Sequence, residues 1–188
     1  MQQANAVVSG SLSAVAQRDG VGLAESFLSC DAMILIDVSG SMMTPDSRGG
    51  KTRYEVALAE LAELQKRLPG KLAVVAFSDT ALFCPGGQPP LLGSGTNMAG
   101  ALRFAKVADV PGVQFILISD GYPDSADDTM TVARTYANRI DTIYVGAERS
   151  PEGREFLVRL ALASGGQSVT ADRAQLLAQS AAQLLLGA

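Results

Sequence analysis

The chain has 188 residues, 47% of them hydrophobic, with 15 Lys and Arg against 19 Asp and Glu. That size and apolar content suit one domain with a sizeable core, and the mild acidity, spread without long runs, offers nothing to nucleic acid or an anionic membrane. The chain has no histidine, which excludes Ser-His-Asp and Cys-His catalysis and any His-ligated zinc or iron site.

Ala4, Val7, Val8, Leu12 and Val15 recur at helical spacing, so residues 1–29 are expected to form a short amphipathic extension laid on the domain. No basic residue precedes the mildly apolar stretch 7–16 and serines interrupt it, so it does not read as a secretion signal. No run approaches the ~20 apolar residues of a membrane span. The expectation is a soluble, cytoplasmic chain, one domain over 1–188, with Cys30 and Cys84 as reduced, buried thiols.

Ala32-Met33-Ile34-Leu35-Ile36 is an uninterrupted apolar run, the pattern of a strand covered on both faces; the first strand is placed at about 31–38. A Gly/Ser/Pro/Asp-rich loop follows to Lys51. Thr52 with Glu55 three residues on spells a capping box. The helix it opens carries the stripe Tyr54, Ala57, Leu58, Leu61, Leu64 and Leu68, and stops at Pro69-Gly70. Leu72 to Phe77 is a second apolar strand. Ser78-Asp79 leaves no room for a crossover helix, so Ala81 to Cys84 is expected as a short antiparallel edge strand.

After a Gly/Pro-rich loop from Pro85, a helix is expected from Thr96 or Asn97 to about Ala108. Val113 to Ser119 is a fourth strand, followed by a helix over about 126–139 that Asp124, Asp127 and Asp128 cap and start. Asp46 and Asp79 read as exposed loop residues. Thr142 to Val145 is a strand, Pro151 opens a helix stopping at Gly165-Gly166, Ser168-Val169 is a short last strand, and 174–186 is a final helix. Strands alternating with helices at these lengths predict an α/β fold: a doubly wound, mostly parallel six-stranded sheet with helices on both faces.

Three segments fall at strand ends or in the loops beyond them: Asp37-Val38-Ser39-Gly40-Ser41, Gly95-Thr96-Asn97 and Ser119-Asp120-Gly121. The first and fourth strands are neighbours in such a sheet, and the crevice between them is where ligands bind. Oxygen donors without nitrogen or sulfur suit a hard cation such as Mg²⁺. Taken alone, Asp37 to Ser41 has a blander alternative reading as an N-cap or turn cluster, which the later Thr96 and Asp120 disfavour.

Together, Asp37, Ser39, Ser41, Thr96 and Asp120 resemble the metal-ion-dependent adhesion site of the von Willebrand factor type A domain family. Its pattern is Asp-x-Ser-x-Ser, then a distant Thr, then an Asp, and the resemblance covers roughly residues 30 to 186. It implies Ser39, Ser41 and Thr96 as direct hydroxyl ligands of Mg²⁺ or Mn²⁺, with Asp37 and Asp120 acting directly or through water. It also implies a non-enzymatic function: an acidic residue of a separate partner protein completes the shell of an under-neutralised cation. By analogy alone, that partner is an AAA+ ATPase or a component of a bacterial or phage assembly. In adhesion members the last helix moves on ligand binding, a motion the resemblance extends to 176–186. The enzymatic alternative, a Mg²⁺-dependent phosphatase or hydrolase using Asp37, is disfavoured by Ser39, where a haloacid-dehalogenase-type phosphatase has an acid.

Overall fold

A computed structural model describes residues 7–147 and 150–170. Six strands form one sheet in the order β3-β2-β1-β4-β5-β6. They are β1 (Ala32–Asp37), β2 (Leu72–Phe77), β3 (Ala81–Phe83), β4 (Gln114–Ser119), β5 (Ile140–Tyr144) and β6 (Ser168–Thr170). All neighbours are parallel except β2 and β3. This is the doubly wound architecture predicted, with the short antiparallel strand at one edge.

β1 lies at the centre, Ile34 opposite Val74 of β2 and Ile116 of β4. Its six residues are all buried, and alternate side chains enter different cores. Ile34, Ile36 and Val38 meet Val56, Leu61 and Leu64 of α3 (Arg53–Arg67) on one face. Met33 and Leu35 share the other face with Leu102 of α4 (Met98–Ala105), Val132 of α5 (Ala126–Ala133) and Leu157 of α6 (Pro151–Ala163). Both cysteines are free thiols. Cys84 packs in the first core and Cys30 against the second, so the sheet separates them.

The capping box at Thr52 forms as predicted: Thr52 Oγ1 accepts from Glu55 N at 3.1 Å and the Glu55 carboxylate accepts from Thr52 N at 2.8 Å. Other boundaries differ from expectation for identifiable reasons. Among the described residues the N-terminal segment is helical from Leu12, after the N-cap Ser11, and two helices form, α1 (Leu12–Asp19) and α2 (Leu23–Leu28). Gly10 breaks the path into α1: its φ is +86°, and a Cβ there would lie 2.6 Å from Gln65 O. Val7 is left exposed, while Leu12 is buried in the second core. Ala4 lies outside the described residues.

The helix expected to reach 139 ends at Ala133, with Arg134 as C-cap. Asp109 is the cause. Its carboxylate accepts from the backbone N–H of Ala137 at 2.8 Å and of Asn138 at 2.9 Å, drawing the chain out of the helix. Burial works against that charge, but Lys106 and these N–H donors hold the carboxyl at about 2. β5 consequently starts at Ile140 rather than Thr142, with Asp141 buried inside it. Asp141 is supported by Gln114 and by the backbone N–H of Gln167. The final helix expected over 174–186 lies outside the described residues.

Candidate metal centre

The site is built where β1 and β4 end. Asp37 is the last residue of β1, and its carboxylate turns back to bind its own loop. Oδ1 accepts from Ser39 N at 2.9 Å, and Oδ2 accepts from Ser119 Oγ at 2.7 Å. The first bond fixes the turn that places Ser39 Oγ and Ser41 Oγ 3.2 Å apart. The second fastens β1 to β4 at the crevice where the strand order reverses. Asp120 follows directly on β4. Asp37 and Asp120 are fully buried and Ser39 nearly so, while Ser41 is half-exposed.

Thr96 is brought in by backbone contacts. Gly93 N donates to Val38 O at 3.0 Å and Gly40 N to Ser94 O at 3.1 Å, so this loop lies against the Asp37–Ser41 turn. On its other side Thr96 N donates to Asp124 Oδ1 at 2.8 Å, and Thr96 O accepts from Asp124 N at 3.0 Å. Asn97 caps α4, its side chain accepting from Gly100 N. The three sequence segments therefore meet at one edge of the sheet.

Asp46 and Asp79 are exposed loop residues and Asp127 and Asp128 open α5, as expected, but Asp124 has a different place. Asp124 does not cap α5; Ser125 does. Asp124 instead clamps Thr96, and Asp79 Oδ1 accepts from Gly95 N at 2.9 Å. Asp46 holds Arg53 in a two-point pair, Nε to Oδ1 at 2.8 Å and Nη2 to Oδ2 at 2.7 Å. Arg53 reaches on to Asp120, its Nη1 2.5 Å from Oδ2. No local pattern marks Arg53 or Asp124 as parts of the site, and Ser119, though within one of the three segments, gives no sign of its bond to Asp37, because each acts on a residue distant in sequence.

Backbone packing sets the height of Asp120. Gly121 has φ of +81°, and Gly153 in the first turn of α6 lies so close that a Cβ on it would come 2.1 Å from Asp120 O. Only two bare backbones fit there.

Electrostatically the pocket sets two buried carboxylates against each other. Burial pushes the Asp37 carboxyl up to about 6, the Ser39 hydrogen bond pulling the other way and the charge of Asp120 adding to the rise. Asp120 Oδ2 is neutralised by Arg53, but its Oδ1 is buried and has no hydrogen-bond partner among the described residues. A buried carboxylate oxygen left unpaired is costly. Two carboxylates and three hydroxyls form a hard oxygen set that fits Mg²⁺ or Mn²⁺. Among the described residues no group of three or more His, Cys, Asp or Glu is placed to hold a metal; such a site depends on its hydroxyls. Asp37 is a poor nucleophile here, because it is buried and both its oxygens accept hydrogen bonds.

No family profile and no curated protein matches the chain. Solved structures do. An aerotolerance-related membrane protein from Bacteroides fragilis superposes with a TM-score of 0.67 at 18% identity, covering 82% of this chain and 98% of that one. A von Willebrand factor type A protein from Catenulispora acidiphila gives 0.59 at 19% identity, over 82% of this chain and 42% of that one. The vWF domain of the type V pili tip protein Mfa5 from Porphyromonas gingivalis gives 0.59 at 13% identity, over 79% and 93%. The fold is that of a von Willebrand factor type A domain: a Rossmann-like, mostly parallel sheet with one antiparallel edge strand. Among the described residues no helix is long and apolar enough to cross a membrane.

Proposed function

We propose that this chain is a protein-interaction module that binds an acidic residue of a separate protein through a divalent cation, Mg²⁺ or Mn²⁺. Ser39, Ser41 and Thr96 hold the cation through hydroxyls and Asp120 through its free oxygen; Asp37 orders the turn and acts through water. The observation that carries this reading is Asp120 Oδ1, buried without a partner beside the Asp37–Ser41 turn. The cation supplies one exchangeable position, which a partner's Asp or Glu side chain completes. Neighbours of the same fold include a pilus tip protein and a membrane protein related to aerotolerance, which favours partners among cell-surface assemblies; an AAA+ ATPase partner rests on family analogy alone.

The test is calorimetric titration of the chain with Mn²⁺, wild type against Asp120→Ala and Ser39→Ala, followed by capture of partners with and without EDTA. Binding that both substitutions abolish, and a partner released by EDTA, are the expected results. Absence of Mn²⁺ binding, or a partner held equally with and without EDTA, refutes the reading.

A further inference from the structure

We propose that Arg53 sets how much charge Asp120 offers at this centre: by holding Oδ2 it leaves Oδ1 as the single oxygen for the cation and keeps that cation short of negative charge. The inference rests on the metal-binding reading above and concerns a residue outside its ligand set.

The arrangement is built from both sides. Arg53 Nη1 lies 2.5 Å from Asp120 Oδ2, where Asp120 is fully buried and the arginine side chain is 11% exposed. Asp120 Oδ1 stays unpaired. The guanidinium is fixed from behind by the two-point pair with Asp46. Arg53 is also the first residue of α3, directly after the Thr52 capping box, and its N–H donates to Thr44 O at 3.2 Å.

A guanidinium is charged at every accessible pH and, unlike a water or a lysine, makes a fixed fork. Asp37 and Asp120 alone match the charge of a divalent cation. With Arg53 bound to one of them, a single positive charge on the cation is left unmatched beside the buried pair. Asp46 sits further out and is 37% exposed, so solvent screens much of what it could offset. The unmatched charge is the one a carboxylate from another protein supplies. Arg53 thus weakens the hold on the ion and strengthens its demand for an acidic ligand.

The experiment is calorimetric titration of the whole chain with Mn²⁺ at pH 7.5, comparing wild type, Arg53→Gln and Arg53→Lys, with thermal melting in EDTA to establish folding. Removing a full positive charge one carboxylate away from the ion is expected to tighten Mn²⁺ binding about tenfold in Arg53→Gln. Arg53→Lys, which keeps the charge, is expected within about threefold of wild type. A clamp that only holds Asp120 in place predicts weaker binding in both, and equal or weaker binding in a folded Arg53→Gln overturns the proposal. If Arg53→Gln does not fold in EDTA, Arg53→Met, which also removes the charge but fills the largely buried space, decides: about tenfold tighter Mn²⁺ binding supports the proposal, and equal or weaker binding overturns it. A wild type that takes up no Mn²⁺ removes the metal reading itself, and this proposal with it.

Discussion

Replacing Asp37 by Asn is expected to stabilise the metal-free protein at neutral pH. The fold raises the Asp37 carboxyl to about 6, chiefly through burial, whereas an unfolded Asp titrates near 3.9. A group whose folded pKa lies above its unfolded one stabilises the fold fully below the unfolded value, and that contribution is lost as pH rises through the folded value. The window here runs from about pH 4 to about pH 6. A rise of about two units corresponds to about 3 kcal/mol. Asn at position 37 keeps the shape and the acceptor for Ser39 N but loses the charge and the acceptor for Ser119 Oγ, the latter costing about 1 kcal/mol. In EDTA, Asp37→Asn should therefore exceed wild type by about 2 kcal/mol at pH 7, with the gap closing as pH falls toward 4. Urea unfolding of both proteins from pH 4.5 to 8 measures it. On the metal reading, saturating Mg²⁺ reverses the order at pH 7, because an ion bound only by the native state stabilises wild type. A wild type equal to or more stable than Asp37→Asn at pH 7 in EDTA refutes the assignment of Asp37 as a strained, buried charge.

Leu12→Ala should cost about 2–5 kcal/mol by urea unfolding, because Leu12 is buried in the core that α4 to α6 share; a loss below ~1 kcal/mol shows that the N-terminal segment is not docked. Gly153→Ala places a Cβ 2.1 Å from Asp120 O, so it should lower the melting temperature and weaken Mn²⁺ binding together; intact Mn²⁺ affinity contradicts the close packing at that point. Asp124→Ala removes the acceptor for Thr96 N at an exposed carboxylate. It should reduce Mn²⁺ affinity about tenfold while changing stability by ~1 kcal/mol or less, and a calorimetric titration showing wild-type affinity excludes a role for the clamp.

Much of the fold was legible in the sequence because its signals are local and repeated. The uninterrupted run Ala32–Ile36 announced a doubly covered strand, Ser78-Asp79 was too short for a crossover, and Thr52 with Glu55 marked a helix start. Boundaries failed where a distant side chain overrode the local pattern. Asp109 takes the N–H groups that would have continued α5, and buried Asp141 made the start of β5 look like loop. At the candidate site, type and order pointed to five oxygen-bearing residues, and the structure brings the three segments that carry them together. Their supports were not legible: Arg53 bonds Asp120, 67 positions away, and Ser119 bonds Asp37, 82 positions away. Asp124 looked like a helix cap because an acid before a helix usually is one, yet Ser125 had already filled that position.

The placement of β1 has a mechanical consequence. Asp37 ends a strand flanked by parallel neighbours, Ala32–Asp37 running beside Leu72–Phe77 and Ala32–Ile36 beside Gln114–Ile118. A pull applied at this end and directed along the strand loads both ladders in shear, so their hydrogen bonds must yield together instead of unzipping one after another. An edge strand such as β3 would peel. Whatever grips this edge of the sheet pulls on the part of the molecule that resists traction best.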